Sequence, residues 1–321
     1  MSGEQSARWS VHRATADDDD ELLNLFEQVF GQPMPLAQWR WKYSESPVRG
    51  ILLRREKMAV AFFGGMPRSL QGPLGAVAAV QNGDVMVLPS ERGVFSRQGA
   101  LYRAAFAFFE QLVGPGKLYE FAFGFPSERH FRLGVKLDLY QDSGRLVELS
   151  WSAKHAETRF LTATSCLEAL EIDSVVGNLW PRMQRSWPNH FIPKRDPERW
   201  AFRFAAHPVH RYDLLVVHRR FLRKPLCALV LREHAGHIEW LDFVGSAETA
   251  SLAISVARHF ASEHQNKPVM ALFSQSIASA FSENATSVLS NICMPVNMRP
   301  PHEHRPYVNN LWCMGGDTDF L

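Results

Sequence analysis

Between Arg92 and Ala100 the chain reads RGVFSRQGA, and most of these residues could hold an anion. Arg92 and Arg97 bring positive charge, Ser96 and Gln98 bring hydrogen-bond donors, and Gly93 and Gly99 allow positive φ or a close approach of backbone to ligand. An apolar, β-branched stretch, VMVLP, precedes the loop, and ALYRAAFAFFEQLV follows it with helical periodicity. A strand that turns through glycine into a helix aims backbone N–H groups and the positive end of the helix dipole at one point. That arrangement suits a pyrophosphate. Other chemistry-bearing clusters read more plainly. The HEH at His302 to His304 has alternate spacing that a metal could use on a strand, but RPPHEHRPY has the composition of a loop. The acidic run Asp17 to Glu21 suits a solvated helix start. Cys166, Cys227, Cys293 and Cys313 form no CxxC pair and read as buried free thiols of a reducing compartment. No metal is expected.

The loop has to be held by a scaffold, and 321 residues with 46% apolar content can supply two modest cores. The net charge of +2, from 35 basic and 33 acidic residues, argues against a dedicated nucleic-acid surface. The beginning MSGEQSARWS lacks the apolar core of a signal peptide, and no apolar run approaches bilayer-spanning length. A soluble cytoplasmic protein that engages neither membrane nor nucleic acid is the expectation.

Along the chain, Trp9 to Ala14 reads as a strand, and Thr15 with Asp18 as a capping box. Leu22, Leu25, Phe26, Val29 and Phe30 then recur at helical spacing. Strands are expected at Ile51 to Arg54 and Ala59 to Phe63. GAVAAVQNGDVMVLP is either a hairpin turning at Asn82-Gly83 or one longer strand with an irregularity there. After the helix Ala100 to Val113 come the strand LYEFAFGFP, the helix SERHFRLGVKLDLY and the strand SGRLVELSW. Residues 152 to about 194 read as a crossing with a helix near Ser174 to Arg185.

The chain also repeats itself. WRWKYSESP (Trp39 to Pro47) aligns without gaps with WAFRFAAHP (Trp200 to Pro208). The order downstream agrees: strands at Tyr212 to His218 and Leu226 to Arg232, IEWLDFV, a helix from Ser251 to Ser262, VMALFSQ, and a helix from Ile277 to Asn284. Where the first half has SERGVFSRQGALYRA, the second has GSAETASLAIS, without arginine. Trp39, Trp41 and Tyr43 read as packing anchors, or as the lining of an acceptor cleft.

VLPSERG, the loop after it, SERHFRLGVKLDLY and the opening VHRATADDDDELLNLF together resemble the GNAT superfamily of acyl-CoA-dependent N-acyltransferases. The likeness covers most of residues 9 to 151 and, more weakly, 200 to 300. It implies an α/β (α+β) fold of two tandem GNAT-like domains, each a mixed, mostly antiparallel sheet flanked by helices. Residues 1-152 would form the acyl-CoA-binding domain, and 153-321 a linker with a degenerate copy. Val85, Met86 and Val87 would lie along the pantetheine arm. Arg92, Gly93, Phe95, Ser96, Arg97, Gln98, Gly99 and Ala100 would cradle the pyrophosphate, and Ser127 and Arg129 would contact the far wall. The thioester would emerge between Asp84 to Leu88 and Tyr119 to Phe125, where strands separate in this fold.

Amide formation needs an unprotonated amine and a proton for the departing thiolate. Gly134 stands where the family commonly carries a tyrosine acid. Tyr140 and His130 are the replacement candidates, and Asp84, then Glu120, the candidate bases. The expected activity is transfer of an acetyl or other short acyl group from acyl-CoA to an amine, on a small molecule such as an amino sugar or amino acid derivative. The rival expectations are a non-catalytic acyl-CoA-binding or regulatory module and an aminoacyl-transferring enzyme.

Overall fold

A computed structural model describes residues 8–93, 97–155, 162–221, 223–297 and 305–318. The chain forms two compact units. The first comprises residues 1–68, 78–142 and 294–306, and the second 69–77, 143–293 and 307–321.

In chain order, the elements up to residue 151 are β1 (Ser10–Ala14), α1 (Asp19–Phe30), α2 (Leu36–Lys42), β2 (Gly50–Arg55), β3 (Met58–Gly72), β4 (Gly75–Val87), α3 (Ala100–Leu112), β5 (Phe121–Gly124), α4 (Glu128–Lys136) and β6 (Tyr140–Trp151). The capping box forms as the sequence suggests: Thr15 N donates to Asp18 Oδ2 at 2.8 Å, and the Thr15 hydroxyl accepts from Asp17 N. Gly31, left-handed at φ 77°, ends α1. The acidic run is more than a solvated start, because its members bind arginines far away in sequence. Arg54 pairs with Asp18 and Glu21, and buried Asp19 accepts from Arg49 Nε at 3.2 Å and Trp39 Nε1 at 2.8 Å.

Within the first unit β1 pairs antiparallel with β2, and β2 with β3. β4 follows in the order and runs parallel to β5. That parallel pair requires a crossover, which α3 supplies. Phe63 on β3 meets Phe108 and Phe109 of α3, with ring centroids 5.4 and 5.6 Å apart. Asn82-Gly83 is an irregularity within one strand: β4 continues through it, with Asp84 at φ 48°.

The remaining elements are β7 (Thr162–Cys166), α5 (Ile172–Ser186), β8 (Ile192–Pro193), α6 (Pro197–Trp200), β9 (Asp213–Arg219), β10 (Pro225–Glu233), β11 (Ile238–Gly245), α7 (Ala250–Glu263), β12 (Val269–Ser274), α8 (Gln275–Ala278) and β13 (Thr286–Asn297). In the second unit β7, β9, β10 and β11 pair antiparallel in that order, and β11 runs parallel to β12 after the crossover α7. β12 pairs antiparallel with β6. The sequence expects neither β7, β8 nor β13. The helix expected at Ile277 to Asn284 stops at Ala278 and tightens into a 3-10 turn, Ser279–Phe281. Of the four thiols, Cys227, Cys293 and Cys313 are buried, whereas Cys166 is exposed.

The second unit is organised around one buried cation. Arg195, 2% exposed, donates Nε to Asp242 at 2.8 Å and Nη2 to Asp317 at 2.5 Å, and its guanidinium lies 4.5 Å from the centre of a Trp312 ring. Trp200 Nε1 donates to the other Asp242 oxygen at 2.9 Å. Removing one partner from such a centre leaves buried charge uncompensated. Arg195→Ala should therefore lower the unfolding free energy by about 3–5 kcal/mol in chemical denaturation, with Asp242 and Asp317 stranded.

Candidate functional site

The parallel ladder between β4 and β5 runs from Ala79 opposite Phe121 to Asn82 opposite Gly124, and there it ends. Gly124 is also the last residue of β5, and two residues further along β4 Asp84 takes a left-handed φ of 48°, a conformation most side chains avoid. Two side chains from the WRWKYSESP segment hold it. Lys42 Nζ lies 2.8 Å from its carboxylate, and Tyr43 Oη donates to Oδ2 at 2.7 Å. The Asp84 and Lys42 side chains are 6% and 7% exposed.

Beyond the parting lies a cleft of about 650 Å³ in the first unit. Val85 and Val87 form its strand wall, and Ser127, Arg129 and His130 at the start of α4 face them. Between these walls comes the glycine-bearing turn: Glu91, Arg92 and Gly93, then Ala100, Leu101 and Tyr102 on the first turn of α3. Gly93 sits at φ 101°, which a larger residue would resist. Arg92 folds back so that its Nε donates to Val87 O at 2.8 Å, tying the turn to the strand wall. Gly99 caps α3 without a side chain to offer, so no side-chain cap occupies the first-turn N–H groups. Ser127 likewise begins α4 without spending its hydroxyl on a cap.

The field at this turn would be spoiled by a free Glu91, and it is not free. Its side chain is fully buried and accepts from Arg55 Nη1 at 2.5 Å, Arg8 Nη2 at 2.7 Å and Trp9 Nε1 at 3.2 Å. Two guanidinium groups thus neutralise the one carboxylate at the cleft. Two helix N-termini, Arg92 and Arg129 remain, which is a fit for a phosphorylated ligand. Val85 and Val87 form the strand side of this cleft.

The sequence candidates separate into groups. Val85, Val87, Arg92, Gly93, Ala100, Ser127, Arg129 and His130 come together on the cleft. Met86 is fully buried and absent from the lining. Gln98 is exposed, and Gly99 is the buried α3 cap. Arg97 is exposed and ion-paired with Asp138, in the turn after α4. Phe95 and Ser96, like His302 to His304, lie outside the described residues. Glu120 is exposed and outside the lining. Asp84 stands behind the strand wall, committed to Lys42 and Tyr43.

Gly134 has a local physical explanation. A Cβ placed on it would lie 2.0 Å from Cδ2 of Tyr140 and 2.4 Å from Cε2. The Tyr140 ring occupies the space where a side chain at 134 would begin. Tyr140 is buried, which pushes its phenol up from the ordinary value, and its Oη lies 3.4 Å from His130 Nε2. Burial pushes the His130 imidazole down, so it is held neutral. Sequence reasoning missed the apolar lining by Phe30, Leu101, Tyr102 and Leu133, and the role of Lys42. Helical periodicity names those apolar positions but not which of them border a cleft.

No family model matches the chain, and no curated protein does. Solved structures do. A probable N-acyltransferase from Enterococcus faecalis V583 matches with TM-score 0.65 at 12% identity, over 90% of this chain and 71% of that one. A GCN5-related N-acetyltransferase from Kribbella flavida matches with TM-score 0.65 at 13% identity, over 91% and 72%. The Saccharomyces cerevisiae N-myristoyltransferase with bound myristoyl-CoA matches with TM-score 0.57 at 11% identity, over 91% and 80%. The chain shares the fold of these acyltransferases. Among the described residues no group of three or more His, Cys, Asp or Glu side chains is placed to hold a metal ion. No helix among them is long and apolar enough to cross a membrane.

The contact between Gly134 and Tyr140 can be tested by a double-mutant cycle. Gly134→Ala should cost about 1–3 kcal/mol through overpacking. The same change made in a Tyr140→Ala background should cost close to nothing, because the obstructing ring is gone. Equal costs in both backgrounds would mean that the ring lies elsewhere.

Proposed function

We propose that the first unit binds an acyl-CoA and that the protein transfers its acyl group, acetyl or another short chain, to an amine. The observation that carries this reading is the parting of β4 from β5 directly above a cleft whose floor is an uncapped helix start flanked by arginines. The residues fit the ligand in parts. Arg92, Gly93 and the first turn of α3 would hold the pyrophosphate, with Arg97, Gln98 and Gly99 beside them. The backbone of Val85 to Val87 would align the pantetheine, and Ser127 and Arg129 would close the far wall. When bound, the co-substrate supplies the activated thioester carbonyl. The protein supplies orientation, which can account for a large share of the rate of a bimolecular transfer.

Similarity to the N-myristoyltransferase with bound myristoyl-CoA supports an acyl-CoA ligand. The acceptor we propose is a small-molecule amine, such as an amino sugar or an amino acid derivative. The second unit is proposed to be a degenerate copy of the first. The shared order of an antiparallel meander, a crossover helix and a parallel partner supports this. So does the placing of Trp39 and Trp200, each buried with Nε1 on a buried carboxylate.

Isothermal titration with acetyl-CoA and with CoA should show binding to the wild-type protein, and thiol release against a panel of amines should show turnover. Binding without turnover on any amine would favour a non-catalytic acyl-CoA-binding module, and no binding would overturn the reading. Arg97→Ala should weaken CoA binding about tenfold, the order expected for a charge-assisted hydrogen bond. That loss should shrink as salt is raised.

A further inference from the structure

We propose that His130 carries the proton of the transfer step and that Tyr140 is the positioning residue that fixes its tautomer. The proposal rests on the transferase reading above and assigns the group that stands in for a side chain at 134. Three observations lead to it. His130 is the residue of this pair that lines the cleft, whereas Tyr140 is buried beside it and is not part of the lining. His130 and Gly134 lie one helical turn apart on α4, hence on one face. The Tyr140 ring, entering from the start of β6, covers the bare Cα of Gly134 and brings its Oη to 3.4 Å from His130 Nε2. The glycine makes room for the phenol, and the phenol reaches the imidazole.

A phenol oxygen can accept a hydrogen bond as well as donate one. If Tyr140 Oη accepts from His130 Nε2–H, then Nδ1 keeps its lone pair and is the basic nitrogen. The transfer then balances on one side chain. The amine nitrogen bonds to the thioester carbon, and its surplus proton moves to Nδ1. The imidazolium keeps Nε2–H on Tyr140 throughout. As the carbon–sulfur bond breaks, the Nδ1 proton passes to the sulfur, leaving an amide, a free thiol and the original neutral imidazole. No outside acid is needed.

The charged groups around His130 are compatible with this cycle. Arg92 and Arg129 line the same cleft, and burial keeps the resting imidazole neutral. Glu91 is turned to Arg8 and Arg55. Tyr102 on α3 and Glu128 and Arg132 on α4 are the other titratable neighbours, and the last two pair with each other at 2.6 Å. Asp138 is engaged by Arg97.

Two measurements test the assignment. The first is nitrogen NMR of the imidazole in the ligand-free protein. It should show the Nε2–H tautomer above the histidine's own titration, and the signal should change in Tyr140→Phe. An Nδ1–H tautomer would overturn the assignment whatever the protein's activity. The second is kinetic. His130→Gln should lower kcat by about 10²–10⁴-fold and abolish the acid limb of the kcat–pH profile, which in the wild type lies below the ordinary histidine value. Tyr140→Phe removes the acceptor that steadies the imidazolium, so it should lower kcat and move that limb to still lower pH. Its KM for acetyl-CoA should stay nearly unchanged. A Tyr140→Phe enzyme with wild-type kcat and an unmoved limb would sink the positioning role. Absence of turnover in the wild type would instead count against the transferase reading and leave the tautomer measurement standing.

Discussion

The site in the first unit depends on one backbone irregularity. β4 and β5 hold register for four residues, and then Asp84 takes a left-handed conformation that an L-residue visits at a cost of roughly 1–2 kcal/mol. That cost is met locally. The Asp84 carboxylate sits between the Lys42 ammonium and the Tyr43 hydroxyl, all three sheltered from solvent, so the strained residue cannot relax without unmaking a buried ion pair. Past that residue Val85 and Val87 border the cleft, together with the turn after Leu88 and the first turn of α3. A carboxylate at this position invites assignment as a base. Here the carboxylate is engaged by Lys42 and Tyr43.

The WRWKYSESP segment is rich in large side chains that pack into the first unit. Trp39, Tyr43 and Phe62 form one aromatic group, with Trp39 and Tyr43 centroids 4.6 Å apart. The packing fixes α2, so that Lys42 and Tyr43 arrive together at Asp84. Trp39 is tied from its other side to Asp19, which also receives Arg49. A helix start, a short helix and a strand irregularity are thereby linked through two buried carboxylates. The second unit builds its own version from Trp200, Asp242 and Arg195, with Asp317 brought in by the chain's last described residues.

The parts legible in the sequence were those whose signals are local. The capping box, the amphipathic helices, and the strand–turn–helix with its glycines and arginines each sit within a short window, and each was found where the residues indicate. What escaped depends on contacts between distant segments. Gly134 reads as the loss of a catalytic side chain because the ring that fills its space comes from the following strand. Asp18, Asp19 and Glu21 read as solvated because Arg49 and Arg54 are more than a helix away. β13 escaped for another reason: its first four residues are exposed and its last five buried, so no single alternation marks it as a strand. The helix expected to reach Asn284 ends early because Phe281 turns inward, where its ring stacks on Phe273 at 4.5 Å.

In the second unit Phe281 packs against the strand that leads into the turn aligned with RGVFSRQGA. There too the parallel ladder is short, running from Ile238 opposite Val269 to Glu239 opposite Met270. Past that point, however, the strand carries Trp240 and Phe243, both buried against Phe281 at centroid distances of 5.7 and 5.4 Å. These apolar rings pack together past the end of the ladder, and burying them stabilises the unit. The turn that follows is satisfied from within. Ala247 N donates to the Ser186 hydroxyl of α5 at 3.1 Å, and the Thr249 hydroxyl donates to Ser246 O at 2.7 Å. A backbone donor of this turn is thus spent on a side chain within the unit.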